Sequence, residues 1–519
     1  MSTSDPAETS GTAGGPAPDG WRRLDRRTVP LSALVTAGVA AGAAVPTTLG
    51  LSGRLGFGPA VAWVLLGAAL LTGFGAGTDY VRWRRTRYRV GADRVELHTG
   101  LLLVRKRSLA RERIRSVDLT AHPLQRVLGL VTVRIGTGEH TGGESTLELD
   151  PVLRAEGERL RRALLERGLT AASGSHVEGE LVTLDPRWIR YAPVSFVAPA
   201  LGGAAAGAVL QVSDWFGAQG EVIEWVGDRY RETSLLSVIV ILAVAGVLAG
   251  VVGALGLWVE MWWNYRLERE PGGTLRIRRG LLTSRSVSIE ERRLRGVDLV
   301  EPLGVRLLGA ARVDAITTGL AKDDEEQHGD HNTLLPAAPR PVADSVAAAV
   351  LREPTSPTGT VLTGHPAAAR GRRLRRALWA VLAPVLLLAL LGVLLTPVLL
   401  WIALGCALVG LPAGVLLARD AYRALGHALS GGYLVTRSGA LRRSTAALER
   451  AGVIGWTVRR SYFQRRAGLL NITATTAAGA GAYTVYDAAE AEGLDFASEA
   501  VQGLLEPFLE RIPAVRTDE

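Results

Sequence analysis

Six stretches of about twenty residues, each free of Asp, Glu, Lys and Arg, recur in pairs along this chain. They are Pro30–Leu51 and Gly58–Thr78, Ala192–Val212 and Ser234–Val259, Leu378–Leu395 and Pro397–Leu417. A helix needs roughly 20 apolar residues to cross the hydrocarbon core of a bilayer, so each stretch is long enough to span. Ser234–Val259 is the cleanest, whereas Pro30–Leu51 and Ala192–Val212 are richer in Ala and Gly and less hydrophobic. Gly38-x-x-x-Gly42 and Gly246-x-x-x-Gly250 have a spacing that lets helices pack closely, a weak signal in spans so rich in small residues.

The flanks set an expected orientation. Arginines crowd one side of the pairs: Arg22, Arg23, Arg26 and Arg27; Arg82, Arg84, Arg85 and Arg87; Arg370, Arg372, Arg373, Arg375 and Arg376. The connection at 213–233 is acidic instead, with Asp214, Glu221, Glu224, Asp228 and Glu232 against Arg229 and Arg231. The positive-inside rule therefore puts both termini and the long segments between hairpins in the cytoplasm of a multi-pass plasma-membrane protein. The first 20 residues, rich in Ser, Thr, Ala, Gly and Pro, read as a disordered tail rather than a cleavable signal.

Hydrophobic residues make up 48% of the chain but charged residues still make up 21%, too many for spans alone. Soluble modules must alternate with the hairpins. The net charge of +9 comes from arginine, since only Lys106 and Lys322 are lysines among 59 basic residues, a skew typical of GC-rich, for instance actinobacterial, genomes. Those arginines lie beside apolar runs, which favours a membrane surface over nucleic acid as their counterpart. The single Cys406 sits in an apolar run, read as an inert core residue, and excludes a disulfide framework.

The segments after the hairpins repeat three times. Aligned without gaps on Gly100, Gly280 and Gly439, they match at Leu109, Ile289 and Leu448, and at Val117, Val297 and Trp456. Further on they match at Arg126, Arg306 and Arg465, and at Gly129, Gly309 and Gly468. Each copy reads as about seven short strands around turn glycines and closes with an amphipathic helix. Asp150-Pro151 predicts the start of the first such helix. Val342, Val346 and Val350 mark the apolar face of the second; Phe496, Ala500, Val501, Leu504 and Phe508 mark that of the third. The marker glycines are expected at turns with positive φ or close packing, and Arg126, Arg306 and Arg465 at structural positions beside them.

The aromatic-basic lead Trp83–Tyr88, then SLARERIRSVDL, then LQRVLGLVTVRIGTG, resemble the bacterial pleckstrin-homology (PH) domain of the YdbS/YdbT type. Hairpin then module, three times over, is similar to YdbT-like membrane proteins from Pro30 to about Pro513. The third copy departs from the pattern, with Gly452 where Arg113 and Arg293 stand and Trp456 in place of valine. The resemblance implies PH-like β-barrels or sandwiches, each capped by a C-terminal helix, at the inner membrane face.

The expected fold is thus a mixed membrane protein with six transmembrane helices in three hairpins. Its order is a tail (1–29), hairpin 1 (30–78), module 1 (79–170), a linker (171–190), hairpin 2 (191–259), module 2 (260–353), a linker (354–376), hairpin 3 (377–418) and module 3 (419–513).

No sequence motif nominates catalysis. Neither lysine sits in a phosphate-binding loop, and H-E-x-x-H, G-x-S-x-G and C-x-x-C are absent from the sequence. His328 and His331 in KDDEEQHGDHN, and His140, read as loop residues rather than metal ligands. The expectation is a non-enzymatic scaffold with no metal or cofactor. The candidate basic face for anionic lipid headgroups or protein partners comprises Arg105, Lys106, Arg107, Arg111, Arg113, Arg115, Arg293 and Arg295, with an ordinary charged outer face as the plainer reading. The resemblance implies a small YdbS-like PH-domain membrane protein as partner and a role in envelope protection. A component of a transporter or export system is the alternative, and the lack of charge within the spans weighs against it.

Overall fold

A computed structural model describes residues 20–508 apart from 92, 101–104, 115, 137–145, 166–178, 195–199, 205–206, 209–210, 212–219, 221–223, 225–234 and 319–331. Five of its helices are long and apolar enough to span a bilayer. They are α1 (Thr28–Leu55), α2 (Phe57–Arg85), α5 (Leu235–Trp262), α8 (Ala367–Leu394) and α9 (Pro397–Arg423). About half of the sixth expected span, Ala192–Val212, lies outside the described residues, and so do His140, His328 and His331. Leu70, Phe74, Leu387, Leu390, Trp401 and Leu408 project outward from these helices. Such apolar exposure fits a lipid solvent, where a helix satisfies its own backbone. Cys406 is exposed on α9 rather than buried in a core.

Glycines bring the hairpin helices together. An added Cβ at Gly410 would press on Val381, and one at Gly392 would meet Leu400. Gly202 approaches the Gly246 backbone just as closely. Among the described residues nothing lies within 4 Å of a Cβ added at Gly38 or Gly42, so packing does not require glycine at that pair.

The chain divides into two compact units. The first, mainly Met1–Ala172, holds α1, α2 and the first module. There β1 (Arg22–Arg23), β2 (Arg87–Val90), β3 (Arg94–Thr99) and β4 (Arg105–Ala110) form one sheet in sequence order. β5 (Ser116–Ala121), α3 (Pro123–Val127), β6 (Leu130–Gly136) and β7 (Thr146–Leu153) follow, the three strands pairing antiparallel. Alternating Tyr88, Val95, Val117, Val133 and Leu147 point to one core, which α4 (Arg154–Leu165) closes with Leu160 and Leu164. This helix starts at Arg154, not at Asp150-Pro151, because β7 runs through both of those residues. Asp150 is engaged instead by Gln125 and Thr132.

The second unit holds the other two modules. β8 (Gly179–Thr183), β9 (Arg266–Glu270) and β10 (Thr274–Arg279) pair antiparallel, and β11 (Ser284–Glu290) follows in the chain. The second module then continues with β12 (Leu294–Pro302), α6 (Leu303–Leu307), β13 (Ala310–Thr317), β14 (Thr333–Pro339) and α7 (Arg340–Leu351). The third begins with β15 (Gly426–Ser430), β16 (Tyr433–Ser438) and β17 (Arg442–Glu449). It ends with β18 (Val453–Arg459), α10 (Tyr462–Arg466), β19 (Leu469–Thr476), β20 (Ala482–Ala489) and α11 (Glu490–Ala500).

The expected barrel-or-sandwich modules are sheet-rich, but no barrel closes among the described residues. β12–β14 join β15–β17 in one six-stranded sheet of order β14-β13-β12-β17-β16-β15. Half of the second module therefore pairs with half of the third, and β18-β19-β20 stand as a separate sheet. Val346 and Val350 of α7 are buried, as alternation at i and i+4 requires, whereas α11 stops at Ala500 and leaves Phe508 exposed.

The repeat is legible in backbone bonds. The second marker glycines Gly129, Gly309 and Gly468 have φ between 62° and 71°, a left-handed conformation that favours glycine. Their N–H groups donate to Arg126, Arg306 and Arg465 carbonyls, and their own carbonyls accept from the first residue of each closing helix, Arg154, Arg340 and Glu490. Gly100, Gly280 and Gly439 also have positive φ.

Candidate partner-binding surfaces

The candidate basic face divides once side chains are placed. Arg105 and Lys106 are exposed on β4, with Arg107 half-buried beside them. Arg111 turns away from solvent and donates to the carbonyls of Gly91 and Ala163, capping the last turn of α4. Arg450 does the same for α11 at Glu499 and Ala500. Glu291 occupies this position in the second module, and Arg269 supplies the guanidinium, bonding both Glu291 and Ala349. Arg293 is paired with Glu290 and Arg295 with Glu449. Arg113 lies in the 3-10 turn before β5, and Arg115 falls outside the described residues.

The β12–β17 seam is the main feature the sequence did not announce. Its register runs from Gly296 opposite Leu448 to Pro302 opposite Arg442. An added Cβ at Gly296 would overlap the Ala447 carbonyl oxygen, so glycine allows this close approach. Val297, Leu299, Val435 and Ala447 lie in one core cluster across the seam. The Ser444 hydroxyl donates to Asp298 at 2.6 Å. Burial pushes the Asp298 carboxyl up to about 6, with this bond opposing the shift. At the matching position of the first module, burial pushes Asp118 up to about 7.

Ion pairs tie this seam to a membrane helix. Asp420, near the end of α9, accepts from Arg306 of α6 at 2.6 Å and from Arg443 of β17 at 3.1 Å. It thus joins both modules to the third hairpin. Arg306 has this long-range role besides its place before the marker glycine. Arg465, its counterpart, begins the backbone turn to Gly468.

A second buried polar centre lies where α8 enters the third module. Asp487 is 1% exposed and pairs with Arg372 and Arg373. Gln464 donates to it at 2.9 Å and to Asn471 at 2.8 Å, while the Asn471 side chain accepts from the Asp487 N–H. His365 and His427 stand beside this cluster with ring nitrogens 3.1 Å apart. Burial first, and then neighbouring positive or imidazole groups, lower both histidines to about 4. A milder version exists in the first module, where Gln125, Thr132 and Asp150 bond one another. Sequence reading flagged Arg372 and Arg373 only as flanking charge. The shared Gln at the same distance before Gly129 and Gly468 was the available signal for the network.

The family described as "Bacterial PH domain" matches at residues 37–168, 222–354 and 380–499. The chain belongs to the bacterial PH domain family. Two of the three matched ranges start within a membrane helix, α1 and α8, and the third ends just past α7. The ranges 37–168 and 380–499 thus take in most of a membrane hairpin together with its module, and 222–354 takes in α5 with the second module. Among curated proteins, the chain is 22% identical over 269 residues to the transmembrane protein YdbT of Bacillus subtilis (strain 168). That alignment covers 49% of this chain and 54% of YdbT, so the chain spans about half the length of that relative. No solved structure matches.

Proposed function

We propose that the chain is a non-enzymatic plasma-membrane scaffold that holds bacterial PH modules at the cytoplasmic face to bind protein partners. The observation carrying this reading is the β12–β17 seam together with Asp420. Two modules share one sheet, and the same carboxylate binds both of them to a membrane helix. Such cross-linking suits a fixed display platform, since the modules cannot turn independently. The arginine-rich flanks support the cytoplasmic side. Likeness to YdbT-type proteins suggests, as partner, a small YdbS-like membrane protein with one PH module, and a role in protecting the cell envelope.

The test is purification of the C-terminally tagged full chain in mild detergent beside an unrelated tagged membrane protein. A stoichiometric membrane protein with a PH-like module is expected, and splitting the seam by Gly296→Val should reduce its recovery. Recovery of no specific protein from native membranes would sink the partner-scaffold reading.

A second reading rests on Arg105 and Lys106, which are exposed on β4. Basic residues near an anionic surface contribute about 1 kcal/mol each. Hydrogen exchange at β4 should slow in nanodiscs containing phosphatidylserine relative to phosphatidylcholine alone, and R105E/K106E should remove that difference. Equal exchange in both bilayers excludes headgroup binding there.

A further inference from the structure

β18 ends its sheet, whereas its counterpart in the second module does not. The repeat aligns Gly455 with Gly296, Trp456 with Val297 and Val458 with Leu299. β12 is paired on both sides, by β13 and β17. Among the described residues, β18 is paired with β19 alone. Leu299 is fully buried, but Val458 is 39% and Ile454 63% exposed. Just beyond the strand, α10 presents Tyr462 and Phe463, both mostly exposed. Long apolar edges are usually blunted by lysine, proline or a covering element. VIGWTVR carries only a terminal arginine.

The glycine supplies the second observation. At Gly296 a side chain would overlap the neighbouring strand, so the seam needs glycine. At Gly455 nothing lies within 4 Å of an added Cβ. Glycine therefore stands at a position where no neighbour among the described residues requires it.

We propose that β18 is a docking edge that receives, by antiparallel strand addition, the leading-sheet edge strand of a PH-like module on a different polypeptide. Docking would repeat the β12–β17 seam between chains. The inference rests on the scaffold reading and locates its partner surface. In the seam register, Val300 faces Ser444 and Gly296 faces Leu448. The incoming strand would thus place an apolar residue opposite Gly455 and its Ser444-like position opposite Arg459. A second copy of this chain could offer β4, but that would set Arg105 against Arg459, and like charges directly opposite destabilise a strand pair. The favoured strand is therefore neutral or acidic at that position. Main-chain pairing supplies affinity and the covered Ile454 and Val458 supply selectivity.

The test uses the full chain in nanodiscs with the strand EESTAALE attached to its C-terminus through a flexible Gly/Ser linker, which keeps the local strand concentration high. This probe is the β17 strand with both leading arginines changed to glutamate. It should slow amide exchange in β18 by roughly tenfold or more, and a tethered RKRSLA strand from β4 should protect much less. Gly455→Leu should abolish protection while leaving the melting profile unchanged, because its side chain enters space that is empty without the strand. Absence of protection by EESTAALE, or protection that survives Gly455→Leu, overturns the docking edge. Self-association of the untethered chain that Gly455→Leu removes overturns the assigned occupant and names a second copy instead. Any of these failures leaves the scaffold reading standing if the tagged chain still recovers its membrane partner.

Discussion

The second and third modules lie side by side in one sheet, and the chemistry at their matching positions differs. Val305 and Arg312 of the second stand where the third has Gln464 and Asn471. The second module is apolar at Val305 and relies on the neighbouring strand β17 to finish its core. The third builds a polar centre around Asp487 and fastens it to α8 through Arg372 and Arg373. One module is completed by a neighbour and the other by a membrane helix. Duplicated sequence can thus keep a backbone plan while dividing the tasks of closure and anchoring.

The largest effect should come from removing the anchor. Asp487→Ala leaves two guanidinium groups and Gln464 without their carboxylate, and losing one partner of a buried pair costs about 3–5 kcal/mol. Thermal melting in detergent should show the third module destabilised well beyond the second. Equal losses in both would erase the proposed division.

Glycine substitution tests the other half of the comparison. Gly296→Ala forces a methyl group against the Ala447 carbonyl and should cost about 1–3 kcal/mol, as overpacking does. Gly455→Ala should cost under about 0.5 kcal/mol because its neighbourhood is open. Similar melting shifts for both variants would show that the seam does not constrain β12.

Acid should move the two modules in opposite directions. His365 and His427 are near 6.5 when unfolded and about 4 when folded, so the unfolded chain takes up protons that the folded module refuses. The third module therefore loses stability as pH falls from about 6.5 to about 4, by roughly 3 kcal/mol for each histidine. Asp298 is near 3.8 unfolded and about 6 folded. The folded second module holds a proton that the unfolded chain releases, so it is favoured in acid and loses stability as pH rises through about 6. Rate-corrected hydrogen exchange at β13 and β19 should follow these opposite slopes, and Asp298→Asn should flatten the first.

The smallest change belongs to Arg295→Ala. Its Glu449 partner crosses the seam, but both side chains are about one-third exposed. Such a pair contributes under about 1 kcal/mol, and the double variant with Glu449→Ala should show equally weak coupling.

Much of this architecture was legible from residues alone. Long uncharged runs announced the spans, and the spacing from Gly100 to Gly129, repeated twice, announced equivalent turns. Alternation identified strand faces but not strand neighbours. Val297 and Leu299 would point inward whether their edge met their own module or another, so an expected barrel opened into a shared sheet. Asp150-Pro151 carries a local helix-start signal, but continuation of β7 overrides it. Arg111 looked like surface charge because sequence does not show that a helix end waits 52 residues away. The links of Asp420 to Arg306 and of Asp487 to Arg372 were missed because the partners lie 114 and 115 residues apart in sequence.

The seam also sets an order of events during synthesis. Asp298 meets Ser444, 146 residues later, and the entire third hairpin lies between them. At translation rates of about 5–20 residues per second, β12 leaves the ribosome roughly 7–30 s before its partner. Its edge must remain unclaimed while α8 and α9 enter the bilayer. Membrane insertion is therefore a checkpoint in completing the soluble sheet, and any delay there prolongs exposure of an aggregation-prone strand in the newborn chain.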